Sequence, residues 1–193
     1  MKYQAEIREL LVKNAIHLIA EGGFEKATTK ELTHYGGDLP DCKMNEVYIY
    51  RLFGSKERLF EAVFVRLDTE LFHAFKKGLE IAHGFRGDTR ERFNDFFDMA
   101  LRFALRDEER CRCYVRYYYS IYFKDNSLQA HNKLFGEMIS EVAPLFKEEA
   151  DVRLYYIVYL PHFWISVFAY ITVTWKTAKK TDLISLTFYT VWS

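Results

Sequence analysis

"YIYRLFGSKERLF", residues 48–60, reads as the end of one helix, a break and the start of another. Gly54 interrupts the run, and Ser55 stands where a hydroxyl can accept from the free amides of a helix beginning after it. Beyond Ser55, Leu59, Val63, Leu67, Leu71 and Phe75 recur every four residues, so a long amphipathic helix is expected to about Ala82. Upstream, "EGGFEKATTKEL" (21–32) carries the complementary signals. Gly22-Gly23 ends a first helix whose apolar face is Ile7, Leu10, Leu11, Ala15, Leu18 and Ile19. Thr28 with Glu31 three residues on has the capping-box spacing and opens a short second helix, which Gly36-Gly37 closes. A third helix contains Val47 to Phe53.

After "HGFRGDT" (83–89) helical spacing resumes. Helices are expected at roughly 89–105, 108–123, 127–143, 148–178 and 182–193, joined by short polar turns such as "KDNS" (124–127). Strand-like alternation is scarce and there is no repeat or Gly/Ser linker. The fold class is therefore all-α: an N-terminal three-helix unit (1–54), then a linker helix and a larger C-terminal bundle (55–193). At 193 residues the chain is long enough to bury a real core, and its 18% of Phe, Tyr and Trp suits a core or pocket of large flat side chains.

Three helices of this kind, the second and third joined at an angle, make a helix-turn-helix arrangement. Here the sequence resembles the TetR family of bacterial transcriptional regulators. The resemblance is carried by "Gly-Phe-x-x-x-Thr-Thr" at 23–29, by "Tyr-x-x-Phe-x-Ser-Lys-Glu-x-Leu" at 50–59, and by the long helix that follows. It covers about the first third of the chain; the remainder matches in helix count and order. It implies a double-stranded DNA operator as partner. Thr28 and Thr29, at a helix start, are placed to touch the phosphate backbone. Tyr50 and Lys56 would each bind a phosphate, and base readout would come from Asn45, Glu46 and Tyr48, with Lys43 close by.

One departure from the family pattern is plain. "DLPDCK" (38–43) lengthens the turn that leads to the third helix. These residues either loop out, or Asp41 caps a recognition helix that starts early, at about 1.5 Å per added residue. The stiff entry at Pro40 and the lack of a breaker in "CKMNEVYIYRLF" favour the early start. Charge is balanced too: residues 1–67 hold ten Lys or Arg against ten Asp or Glu, and the whole chain 27 against 27. Long-range attraction to DNA is thus withheld, although basic side chains can still gather on one face.

The C-terminal part is expected to bind an unidentified small-molecule effector. Candidate pocket residues are Phe96, Phe103, Tyr117, Tyr118, Tyr122 and His162, the tyrosines having core packing as their alternative role. Cys111 and Cys113 point to different faces of a helix and have no ligand partner at zinc spacing, so no metal is expected. Three cysteines imply no disulfide framework, and a reducing cytoplasm is the expected location. No HExxH pair, GxSxG elbow or phosphate-binding Gly-rich loop is present, so neither an enzyme nor a cofactor is expected. "LYYIVYLPHFWISVFAYITVTW" (154–175) lacks charge, but Pro161, His162 and its tyrosine and threonine tips argue for burial in protein rather than in a membrane. With "LISLTFYTVW" (183–192) it would form the homodimer interface the family places there, through Trp164, Phe168, Ile171, Trp175, Leu186 and Tyr189. The implied function is a ligand-responsive transcriptional regulator, a repressor. Its effector would alter the separation of two DNA-binding heads from the roughly 34–36 Å between successive major grooves. The alternative keeps the dimeric fold with weakened or lost operator binding, acting as a protein-interaction or ligand-sequestering module.

Overall fold

The computed structural model describes residues 2–35, 44–84, 102 and 106–142. Every regular element among them is an α-helix. They are α1 (Lys2–Lys26), α2 (Thr29–His34), α3 (Val47–Phe53), α4 (Lys56–Gly84), α5 (Glu108–Tyr118) and α6 (Asp125–Val142). The helices expected at 148–178 and 182–193, and nearly all of that at 89–105, lie outside the described residues. The chain divides into two compact units. One comprises residues 1–70 with 109–133, and the other residues 71–108 with 134–193.

In the first unit α1 is the central post. Leu11, Val12, Ala15, Ile16, Leu18, Ile19 and Ala20 are all buried, so its middle is covered nearly all round, and α2 and α3 both pack on it. Gly23, at φ 76°, breaks the helical path near its end, as the glycine pair suggested. A side chain there would be strained by the backbone and would also press on the Arg116 guanidinium.

The two short helices are too brief to stand alone, and side chains from α1 finish them. Asn14, 1% exposed, donates its amide to the carbonyls of Leu32 (2.9 Å) and Tyr35 (2.6 Å), satisfying the end of α2. Thr28 caps the other end as expected, its hydroxyl accepting from the Glu31 amide at 3.2 Å. The return arm of the capping box is not the one used: the Thr28 amide bonds the Lys26 carbonyl. Arg8 does for α3 what Asn14 does for α2. Its guanidinium donates to the Leu52 carbonyl at 3.0 Å and lies 4.4 Å over the Phe53 ring.

An early start to the third helix is not what the structure shows. The helix begins at Val47, and residues 44–46 precede it in non-helical or turn geometry. Three features hold them so. Met44 is buried at 2% exposure, the Asn45 side-chain oxygen accepts from the Val47 amide (3.0 Å), and the Glu46 carboxylate accepts from the Thr29 hydroxyl (2.6 Å). Gly54, at φ 87°, then ends α3, its amide bonding the Tyr50 carbonyl.

Ser55 caps α4 through the Arg58 amide, and Leu59, Val63, Leu67, Leu71 and Phe75 are all buried, as their spacing predicts. Beneath the short helices lies an aromatic floor. Phe24 meets Phe60 and Tyr122 (centroids 5.2 and 4.6 Å apart), while Phe64 stacks between Tyr114 and Tyr117 (5.2 and 4.6 Å). α5 stops at Tyr118, short of the expected 123. Ser120 folds back to the Tyr117 carbonyl, and the Ser127 hydroxyl accepts from the Lys124 amide to start α6.

Candidate nucleic-acid interface

The geometry of α3 separates what it hides from what it shows. Ile49 and Phe53, four apart, face inward at 0% and 8% exposure. At 3.6 residues per turn the positions opposite them are Val47 and Arg51, with Tyr50 on one flank and Tyr48 on the other. Accordingly Val47 and Tyr50 are well exposed, Arg51 is exposed, and Tyr48 is half-buried. Thr28, with exposed Lys30 and half-buried Thr29 beside it, stands at the start of α2.

Of the residues expected to meet DNA, Thr29 and Glu46 are brought together, and not all of the others are at liberty. Thr29 and Glu46 hydrogen-bond each other, tying the start of α2 to the residue before α3. Asn45 is occupied with the Val47 amide. Lys56 is half-buried, its ammonium 5.7 Å from the Phe60 centroid, and sits at the first residue of α4. Beside it, Glu57 has its carboxyl held below the usual range, first by a hydrogen bond from its own backbone amide and then by Ser55. Lys43, with Asp38 and Asp41, lies outside the described residues.

Of the pocket candidates, Tyr117 and Tyr122 belong to the aromatic floor. Tyr117 is 2% exposed and its hydroxyl donates to the Tyr122 carbonyl at 3.0 Å. Tyr118 stacks on Phe123 (4.5 Å) and meets the His131 ring edge-on (5.4 Å). Phe96, Phe103 and His162 lie outside the described residues, as do Trp164, Phe168, Ile171, Trp175, Leu186 and Tyr189. Among the described residues no three His, Cys, Asp or Glu side chains gather to hold a metal ion, and no helix is long and apolar enough to cross a membrane.

No family model matches the chain. Solved structures do. A protein from Shewanella sp. PV-4 assigned to the TetR family of transcription regulators superposes with a TM-score of 0.72, at 17% identity over 96% of both chains. A TetR-family transcription regulator from Marinobacter aquaeolei VT8 gives 0.69 at 15% identity, covering 98% of this chain and 95% of that one. The chain has the TetR-family fold. The fatty acid degradation regulator FadR from Bacillus halodurans shares it, with a TM-score of 0.67 at 15% identity over 94% of each chain. Among curated proteins, the nucleoid occlusion factor SlmA from Mannheimia succiniciproducens is 28% identical over 135 residues, 69% of this chain. That match spans 57% of SlmA's length.

Within the TetR-type head, sequence reasoning missed Arg8 and Asn14, the two α1 side chains that fix α2 and α3. It also missed Val47 and Arg51 on the outward face. The spacing of Ile49 and Phe53 was the available signal for the last pair. For Asn14 there was none, because a lone polar residue in an apolar run points to no partner.

Proposed function

We propose that this chain is a homodimeric, ligand-responsive DNA-binding regulator of transcription, a cytoplasmic repressor. The observation that carries this reading is α3 itself, pinned from α1 by Arg8 with Val47, Tyr50 and Arg51 turned outward. A helix-turn-helix offers its second helix to the major groove in this way. In this reading Thr28, Tyr50 and Lys56, with Lys43, hold phosphates. The effector binds in the C-terminal bundle near Phe96, Phe103 and His162, and the partner subunit packs on the last two helices. The effector acts by preferring one arrangement of the paired heads, which is a coupling free energy between two sites.

The balanced charge of residues 1–67 favours one competing reading, the same dimeric fold with weakened operator binding. Binding of the full chain to genomic duplex fragments, followed as a function of salt, separates the two. In the regulator, Lys56→Ala weakens binding to all sequences and lowers the slope of log K against log salt by about one. Tyr50→Phe weakens binding with the slope unchanged, because it removes a neutral hydrogen bond. Fragments left unbound by the wild-type chain even at about 50 mM salt would overturn the regulator in favour of the weakened form.

A further inference from the structure

We propose that Val47 is a side chain through which this chain reads base identity, and that it does so by packing on the 5-methyl group of a thymine in the major groove. The inference rests on the DNA-binding reading above and deepens it. Thymine alone among the four bases carries a methyl group on its major-groove edge, and apolar side chains recognise it there. Val47 is 66% exposed and lies opposite the buried pair Ile49 and Phe53 on α3. Its two methyls are fixed by a stiff β-branched rotamer, so they are presented without flexibility to lose on contact. Two polar neighbours expected as readers, Asn45 and Glu46, are engaged in holding the protein. The Asn45 side-chain oxygen accepts from the Val47 amide at 3.0 Å, and the Glu46 carboxylate accepts from the Thr29 hydroxyl at 2.6 Å. Both bonds fix the backbone that carries Val47, which makes Asn45 and Glu46 positioning residues. Tyr48 is half-buried on the flank.

The test begins by selecting bound duplexes from a random-sequence pool at low salt with the full chain. Each thymine of the selected site is then replaced by deoxyuridine, which removes the methyl group and leaves every hydrogen-bonding atom. For the wild-type chain, a replacement in one half-site weakens binding about fourfold, as losing burial of one methyl-sized group implies. Val47→Ala binds the thymine site more weakly by a similar factor and loses nothing further on that replacement. The substitution is at an exposed position and alanine favours helix, so the variant folds. Sequence-selective binding that no deoxyuridine weakens, or a deoxyuridine penalty undiminished in Val47→Ala, overturns this inference and leaves the regulator reading standing. A pool from which no sequence can be selected overturns both.

Discussion

Asn14 shows how much one buried amide can decide. It lies in the middle of the apolar post α1, yet its side chain donates to two carbonyls at the end of α2. Asn14→Leu keeps the branched shape at a larger volume and strands the buried Leu32 carbonyl without this donor. The expected cost is about 1–3 kcal/mol, read as a lower urea midpoint at unchanged slope. Asn14→Asp should cost more, because a carboxylate would face carbonyl oxygens in the same buried place. The Thr29–Glu46 pair is a different case. It is exposed, so its value lies in orientation more than in stability, and it converts two expected DNA contacts into a clasp between helices.

At the scale of elements, the helix starts were legible wherever a single residue carries the signal. Thr28, Ser55 and Gly54 sit where their chemistry demands, and the four-residue spacing of α4 is borne out by burial. The early start of α3 was misread because its arbiters are distant in sequence. Thr29 holds Glu46, and the burial of Met44 fixes the approach. Neither contact has a periodicity to read. The same holds where α4, α5 and α6 meet. There the Tyr114 hydroxyl donates to the buried Asp68 carboxylate at 3.0 Å, and the His131 ring bonds the same carboxylate at 3.1 Å. Burial, reinforced by Asp68, raises the Tyr114 hydroxyl well above its ordinary 10.0. Above that pH the unfolded chain releases this proton while the folded chain keeps it, so the unfolded state binds fewer protons and stability falls as pH rises. Below it the contribution is fully present. Tyr114→Phe should therefore flatten the alkaline fall by about 1.4 kcal/mol per pH unit, measured by denaturant unfolding across that range.

For the whole molecule, the proposed dimer places the apolar stretches 154–175 and 183–192 against their twofold mates. Phe168→Glu would bury an unpaired carboxylate there, and sedimentation at micromolar concentration should find monomers. A mutant that stays a folded dimer would place the interface elsewhere. The composition of the first compact unit has a different consequence. Residues 109–133 return to it, and Phe24 rests on rings drawn from both Phe60 and Tyr122. Arg116 also reaches the Ile19 carbonyl at 3.1 Å, and His17 bonds Glu109. The head is thus woven from two separate stretches of gene. Transplanting residues 1–54 alone onto a foreign body would leave Phe24 without its floor and α1 without Arg116. On the proposed reading, point changes on α3 alter specificity, but this head works on a foreign body only if residues 109–133 travel with it.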